Sequence, residues 1–454
     1  MLVNEQPASD GFVKSNKSLK NGIWPRSLSL WMTGFYVALF IIRPWEQLLP
    51  WLGEIRFERT YALLLITVVF LSRRNMIHMS SQTMWVLFYL VAIGISGLNA
   101  YIPELAWEPF YAFFVLVIFY FILISVTRSS YDLIFITICY VFANAVYLFK
   151  AQWEFWINGQ HIYDMGVVRL IGIESTHGSP NSLAMSIVVS LPIAYFLWVN
   201  RLAIIESWPR LYKKWFPRFL LVYLVLATTS LILTNSRSGM LGGVLFFTIT
   251  AFRGKRIKLA VKYLIYVIIL LTVIWQFMPE ENKNRLETVW NPNAGPANAQ
   301  ASAEGRIEGF YAGMEMFTEH PITGVGVGNF ITYRIRFIDG IELSAHNLVG
   351  QVLGETGIIG GLCLLMLVYT IWHGSHKVRK LSQNKRHDTE LIILSSLSIA
   401  ITNSILLLAF EGLFGHNAMR FNWLWLAAFS LLALQFTKER IKELNLVEAG
   451  SARL

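Results

Sequence analysis

Long apolar runs separated by short polar stretches dominate the pattern of this 454-residue sequence. A membrane-spanning helix needs about 20 mainly apolar residues, and tilted or buried spans are somewhat shorter. Runs of this kind lie near residues 28–42, 57–71, 84–97, 110–126, 131–149, 182–199, 218–234, 239–252, 260–278, 347–372, 391–410 and 421–436. The pattern predicts an all-α polytopic membrane protein with about twelve transmembrane helices.

The composition agrees with a protein that lies in a bilayer. Hydrophobic residues make up 55% of the chain and charged residues 15%, a balance too apolar for a soluble protein of this length. The formal charge of +10 comes from short basic clusters between the apolar runs, so it indicates membrane orientation and not nucleic-acid binding. No signal peptide is expected, because the basic N-terminal segment lacks a short apolar core with a cleavage site. Cys139 and Cys363 lie inside apolar runs, where neither a disulfide nor a thiolate metal site is expected.

The basic clusters predict the orientation of the chain. Alternate connections contain Arg73, Arg74, Arg210, Lys213, Lys214, Arg253, Lys255, Arg256, Lys377, Arg379 and Lys380. The positive-inside rule places these connections and both termini in the cytoplasm. The resulting organisation has cytoplasmic tails and two groups of spans around one long outer loop, at residues 1–27, 28–278 (helices one to nine), 279–346 (the loop), 347–436 (helices ten to twelve) and 437–454.

The connection at 279–346 is the longest, and loops of this length in compact proteins usually carry function. A polar spacer, NPNAGPANAQAS, is followed by GRIEGFYAGMEMF, whose apolar residues recur at helical spacing. This segment predicts an amphipathic helix at the outer membrane interface, ended by Pro321. Its apolar positions are Ile307, Phe310, Tyr311, Met314 and Phe317.

Arg237 is the first candidate for chemistry. It lies in TNSRSGMLGG, where one span ends and the next begins after a few polar residues. A guanidinium beside the free N–H groups of a helix N-terminus suits a phosphate or pyrophosphate. The alternative is an interfacial arginine that snorkels and pairs with a neighbouring carboxylate.

Arg306 opens the amphipathic helix at the edge of its apolar face, so its charge is expected near the membrane plane. It is a second candidate phosphate ligand. The alternative is a solvated charge cluster with Glu304 and Glu308, which would give the arginine no functional role.

His346 stands in SAHNLVGQVLGETGIIGG, directly before the next span. Ser344 is expected to cap that helix and to place His346 in its first turn, where the macrodipole disfavours imidazolium. A neutral imidazole is what a general base toward a sugar hydroxyl requires, although a simple polar cap is the alternative. Glycines follow at three- and four-residue spacings and predict close helix packing, at Gly350, Gly354, Gly357 and Gly361.

Other candidate motifs carry weaker signals. GVGVGN at residues 324–329 lacks the Lys and Ser or Thr of a P-loop, so it predicts a turn. His373 and His376 have no further ligands nearby, so a metal site is not expected there. Arg169, in VRLIGIESTHGSPNSLA, is a possible fourth member of the outer site.

Taken in order, TNSRSG, GRIEGFYAGMEMFTEHPITGVGVGNF and SAHNLVGQVLGETGIIG closely resemble the signature of the O-antigen ligase and polysaccharide polymerase superfamily. The similarity covers roughly residues 165–370. It implies a C-type glycosyltransferase-like helical bundle in the bacterial inner membrane, with its active site on the periplasmic face. Such enzymes pass a glycan from undecaprenyl pyrophosphate to an acceptor hydroxyl, without a cofactor or an essential metal.

The resemblance also implies roles for individual residues. Arg237 and Arg306 would bind the pyrophosphate, and His346 would activate or orient the acceptor. The secondary candidates are Arg169, Asn181 and Asn347. The expected partners are the lipid-linked glycan donor, lipid A core or a growing polysaccharide as acceptor, and the lipid bilayer.

Several functions remain open at this point. Our first interpretation is an O-antigen ligase-like enzyme, and a polymerase of O-antigen, capsule or exopolysaccharide is the alternative within the same chemistry. A secondary transporter is the alternative of another class, but the sequence has no internal repeat and no paired ionisable residues at mid-span. A scaffold of a polysaccharide export complex would leave Arg237, Arg306 and His346 dispensable.

Overall fold

Helices make up nearly all of the structure, which is a computed structural model. It describes residues 27–72, 79–164, 166–172, 177–252, 280–287, 291, 297–385 and 387–451, together with 265, 269, 272, 275 and 276. The described α-helices, in chain order, are α1 (Leu28–Ile42), α2 (Pro50–Glu54), α3 (Phe57–Leu71), α4 (Ser81–Leu98), α5 (Pro103–Val126), α6 (Ser130–Ile157), α7 (Pro180–Val199), α8 (Arg201–Ile204), α9 (Arg210–Leu233), α10 (Arg237–Phe252), α11 (Glu280–Glu287), α12 (Ala297–Glu319), α13 (Phe330–Tyr333), α14 (Leu348–Ser382), α15 (Thr389–Gly412) and α16 (Phe421–Ser451).

The predicted apolar runs coincide with these helices, except for the run near 260–278, most of which lies outside the described residues. Within the described ranges, seven helices are long and apolar enough to cross a membrane, namely α4, α5, α6, α7, α9, α14 with the turn after it, and α15. α1 and α10 are shorter apolar helices. The protein is therefore a helical membrane protein, and the total of about twelve spans stays a prediction.

α7 lies at the centre of the bundle, and α9 lies at its edge. In the most apolar window of α7, 72% of the residues are buried, against 28% in α9. α7 packs against α6, α9, α10 and α15, and α15 in turn packs against α14 and α16. A helix that is apolar all round and buried all round belongs in a core, whereas exposed apolar residues on α9 suit contact with lipid.

A short antiparallel hairpin departs from the all-α expectation. Its strands are β1 (Ile162–Asp164) and β2 (Val167–Arg169), and Ile162 pairs with Arg169. Gly166 has a φ of 78°, the left-handed conformation that glycine adopts easily in a tight turn. Strands of three residues are too short to give a readable alternation of apolar and polar positions, so the sequence pattern did not reveal them.

α14 is broken at Gly357, which has φ 61° and ψ −161°. The prediction that this glycine only packs in a helix stripe was therefore incomplete. The backbone N–H of Ile358 donates to the Pro321 carbonyl, and the Gly354 carbonyl accepts from Val325. A Cβ on Gly357 would lie 2.4 Å from the Ile322 oxygen, so glycine is required both for the conformation and for the close approach. The predicted turn at 324–329 is confirmed, and it packs into this break.

α12 is the predicted loop helix, and it ends at Glu319, just before Pro321. The face that it buries in the protein is a stripe of small residues and one methionine, at Gly305, Gly309, Ala312, Gly313 and Met316. Ile307 and Tyr311, which define the predicted apolar face, are 59% and 66% exposed. That face is therefore available to the membrane interface, and its location there stays a prediction.

Candidate active site

Arg237 begins α10, as predicted. The turn before it, at residues 234–236, contains Asn235, whose backbone adopts the left-handed conformation with a φ of 49°. The Asn235 amide donates to the Val168 carbonyl at 2.9 Å, which attaches the turn to the hairpin. The start of α10 is therefore held in place, and the half-buried Arg237 side chain projects from a helix N-terminus, where partial positive charge accumulates.

Arg169 lies beside this turn, but its guanidinium is used for structure. Its Nε donates to the Thr234 carbonyl at 3.0 Å, Nη1 to Asp164 at 2.8 Å, and Nη2 to the Asn181 side-chain oxygen at 2.9 Å. The same Asn181 oxygen accepts a hydrogen bond from the Ser236 hydroxyl. Arg169 and Asn181, two of the three secondary candidates, thus join the hairpin, the end of α9 and the starts of α7 and α10.

Arg306 lies on α12, and its guanidinium carbon is 5.9 Å from the centre of the Phe414 ring. The Glu308 carboxylate lies 3.9 Å from Nη2 of Arg334. The charge cluster with Glu304 and Glu308 stays the alternative interpretation of Arg306. Burial lowers the pKa of Arg306, and the positive charges of Arg237 and Arg169 lower it further. Arginine stays protonated in proteins, so this shift indicates a repulsion that a bound anion would relieve.

His346 does not lie in the first turn of α14, so that prediction was wrong. The N-cap of α14 is Asn347, whose side-chain oxygen accepts from the N–H groups of Val349 and Gly350. Ser344 is not the cap. His346 therefore precedes the helix, with a φ of 44° that is uncommon for a residue with a side chain. Asn347, the third secondary candidate, fixes the helix start next to it.

The imidazole of His346 favours the neutral form. Burial lowers its pKa, and the nearby charges of Arg306 and Arg334 lower it further. This lowered pKa agrees with the neutral imidazole that the helix macrodipole predicted, although burial and the two arginines cause the shift. A neutral ring at pH 7 is available to accept a proton.

The last turn of α15 and the connection between α15 and α16 supply residues that the sequence reasoning missed. Glu411 is 3% exposed, and its Oε1 would lie 2.3 Å from a Cβ on Gly242 of α10. His416 faces His346, with ring centres 5.3 Å apart. Arg420 donates to the Ser182 hydroxyl near the start of α7. Two signals could have found these residues, namely a carboxylate inside an apolar run and a second His-Asn pair at 416–417 followed by an arginine before a span.

Four helices begin around this cluster of side chains, and each contributes a positive N-terminal end. α7 and α10 meet through Asn181 and Ser236, and α16 approaches α7 through Arg420. α14 begins just after His346. Helix N-termini together with arginine side chains form an environment suited to an anion with several oxygens, such as a pyrophosphate.

Arg334 holds the segment that carries His346. Its side chain is fully buried, and it donates from Nε and Nη2 to the Asp339 carboxylate and from Nη1 to the Leu343 carbonyl at 3.3 Å. The strip from residue 339 to residue 346 is thus tied at two points to the π-helical turn at Arg334–Ile338. Arg334 positions His346 by holding its backbone.

Arg334→Ala is expected to lower the free energy of unfolding by about 2–4 kcal/mol, because Asp339 loses its partner and the strip loses its anchor. Thermal unfolding of the purified protein in detergent measures this change. Arg336→Ala is the matched control, because Arg336 lies two residues further along the chain and is exposed. Equal unfolding temperatures for the two variants would contradict the anchoring role.

Metal ligation is not indicated at this site. In the part of the chain that the structure describes, no group of three or more His, Cys, Asp or Glu side chains is arranged to hold a metal ion. His373 and His376 lie on α14, where their rings stack on Tyr369 and Trp372.

The fold and the site define a helical membrane protein with a cationic cluster at the starts of several helices. Residues 222–365 of this chain match the family model for O-antigen ligase. The resemblance noted in the sequence is thereby confirmed, and the matched region contains Arg237, Arg306 and His346. Over this segment the chain is similar to O-antigen ligases. Among curated proteins, no sequence matches the chain.

Proposed function

We propose that this protein transfers a glycan from undecaprenyl pyrophosphate to an acceptor hydroxyl during assembly of a cell-surface polysaccharide. The observation that carries the proposal is that Arg237, Arg306 and His346 come together at one end of the bundle. In the sequence, Arg237 and His346 are more than 100 residues apart. Pyrophosphate is a good leaving group, so two cations and one base would suffice for an inverting displacement without a metal.

Each residue has a distinct role in this reaction. Arg237 and Arg306 bind the pyrophosphate and stabilise the charge that develops as the bond from the sugar to the phosphate breaks. His346 accepts the proton of the attacking hydroxyl. Both arginines are positive, and Arg306 lies close enough to the neutral His346 imidazole to lower its pKa, so the site has an anion-binding part beside a proton-accepting part.

The polarity of the helices supports a periplasmic location for this site. α9 begins with the basic residues Arg210, Lys213 and Lys214 and ends beside the site. α14 begins at the site and has Arg379 and Lys380 in its last turn. Since basic ends favour the cytoplasm, the opposite ends of these helices, and the cluster between them, face the periplasm, with both chain termini in the cytoplasm.

The acceptor distinguishes a ligase from a polymerase, and the donor chemistry is shared. We favour a ligase that uses lipid A core. A polymerase that extends O-antigen, capsule or exopolysaccharide would use the same arginines and histidine with a growing polysaccharide as acceptor. The two activities leave different products in a cell that lacks the enzyme.

The experiment is a deletion strain complemented with the wild-type gene or with Arg237→Ala, Arg306→Ala or His346→Ala, followed by polysaccharide gels at matched protein levels. We expect long-chain product to be restored only by the wild type. Core without any O-antigen in the deletion strain identifies a ligase, and core that bears a single repeat identifies a polymerase. Full activity of all three variants would refute the transferase site and would favour transport or a scaffold role.

A further inference from the structure

The connection between α15 and α16 lies directly against the segment that carries His346. The Asn347 amide donates to the Leu413 carbonyl at 3.2 Å. A Cβ on Gly412 would lie 3.0 Å from the Cβ of Leu348, so the two backbones approach closely there. These contacts fix His416 opposite His346, although the two residues are 70 positions apart in the sequence.

A single hydroxyl lies between the two imidazole rings. Ser344 Oγ is 3.3 Å from Nε2 of His346 and 3.4 Å from Nδ1 of His416. A serine hydroxyl has one proton, so it donates to one ring and accepts from the other. One consistent arrangement has His346 donating from Nε2 to Ser344, and Ser344 donating to Nδ1 of His416. The Nδ1 lone pair of His346 is then left for the acceptor hydroxyl.

We propose that Ser344 and His416 form a hydrogen-bonded relay behind His346, which orients its imidazole and stabilises the imidazolium that forms when the acceptor hydroxyl gives up its proton. This inference rests on the proposed function and deepens it. The acceptor oxygen bonds to the sugar carbon while the bond from that carbon to the pyrophosphate oxygen breaks, and the electron pair leaves with the pyrophosphate. The acceptor proton goes to Nδ1 of His346, whose imidazolium donates from Nε2 to the Ser344 hydroxyl, while that hydroxyl donates to Nδ1 of the neutral His416.

The surroundings of the two rings make His416 the weaker base. Burial lowers the pKa of His346, and the charges of Arg306 and Arg334 lower it further. Desolvation, together with the charges of His346 and Arg420, lowers the pKa of His416 to about 4. Both rings are therefore neutral at pH 7, and the proton taken from the acceptor stays on His346 while the neutral His416 accepts the hydrogen bond from Ser344. Glu411 acts on Arg306 with the opposite sign.

The first readout is the rate at which long-chain product accumulates after the gene is induced in the deletion strain. We expect Ser344→Ala and His416→Gln to lower this rate about tenfold or more, and Ser344→Thr, which keeps the hydroxyl, to retain most of it. His161→Gln is the matched control, because His161 is an exposed histidine outside the site. Wild-type rates for Ser344→Ala and His416→Gln would overturn the relay.

The second readout does not depend on activity. Diethyl pyrocarbonate modifies neutral imidazole, so the modification of His346, followed by mass spectrometry across a pH series in purified full-length protein, reports its titration. Loss of the Ser344 acceptor destabilises the imidazolium, so we expect the midpoint for His346 to shift to lower pH in Ser344→Ala and His416→Gln. An unchanged midpoint with a reduced rate would assign the two residues a purely structural role and would overturn the relay.

The two proposals fail in different ways. If His346→Ala keeps the long-chain product, the transferase assignment fails, whatever the titration shows. If His346→Ala abolishes the product while Ser344→Ala and His416→Gln keep both the rate and the midpoint, only the relay fails.

Discussion

Replacing Arg306 with alanine is expected to lower the rate of long-chain product formation at least about hundredfold, the cost of removing one preorganised donor to developing negative charge. Arg306 is half-buried and lies close to the positive charges of Arg237 and Arg169, which the Glu411 carboxylate offsets in part, so a bound anion would stabilise its guanidinium. Arg306→Lys keeps the charge but loses the planar fork, so an intermediate rate is expected.

The measurement is the rate of product accumulation in the complemented deletion strain, at matched protein levels. Arg336→Ala is the control, because it removes an exposed arginine from the same loop. The pH dependence adds an independent check. Arg306 lowers the pKa of His346, so its removal raises that pKa, and the residual rate should begin to fall at a higher pH on acidification. A rate for Arg306→Ala near that of Arg336→Ala would exclude a role for Arg306 in binding the donor.

Gly313→Ala is expected to destabilise the protein by about 1–3 kcal/mol, the usual cost of overpacking a close contact. α12 and α14 meet there through their backbones, and a Cβ on Gly313 would lie 2.4 Å from the Gly350 oxygen. Backbone atoms cannot rotate away as a flexible side chain can, so one helix must shift. The shift also displaces Arg306, which lies two turns earlier on α12.

Gly305→Ala is the matched control for this substitution. Gly305 lies on the same buried face of the same helix, but among the described residues its added Cβ would meet only Leu343, at an ordinary distance of 3.5 Å. Alanine is favoured over glycine in a helix by about 1 kcal/mol, so Gly305→Ala should leave the unfolding temperature unchanged or raise it. Thermal unfolding in detergent, followed by tryptophan fluorescence, compares the two variants. A stability for Gly313→Ala equal to that of Gly305→Ala would contradict the close contact between α12 and α14.

Much of the helical architecture could be predicted, because the bilayer requires long apolar runs and each run leaves a clear sequence signal. The start of α10 at Arg237 and the end of α12 before Pro321 were also predicted, because a short polar turn and a proline mark these boundaries in the sequence. The start of α14 was not, because Ser344 and Asn347 are both good capping residues and only the folded backbone selects Asn347.

The site was predicted only in part, because local patterns do not reveal which distant segments meet. Arg237, Arg306 and His346 each stand at a recognisable boundary. Glu411 lies in the last turn of α15 and His416 in the short connection after it, and both become part of the cluster only through the packing of α15 against α7 and α10. Whether these residues act as proposed stays a prediction, to be tested by the variants above.

The break in α14 has a consequence for how such a protein can diverge. The turn at 324–329 is fixed there by backbone groups, and a side chain at Gly324 or Gly357 would collide with the chain opposite, at 2.3 Å from the Glu355 carbonyl carbon and 2.4 Å from the Ile322 oxygen. Buried side chains complete the attachment, because the N–H groups of Val327 and Gly328 donate at 3.0 Å to the Ser96 hydroxyl and to the Glu355 carboxylate. Evolutionary drift in this part of the chain is therefore limited both by these side chains and by the space that two residues leave empty, and we expect glycine to persist at those two positions.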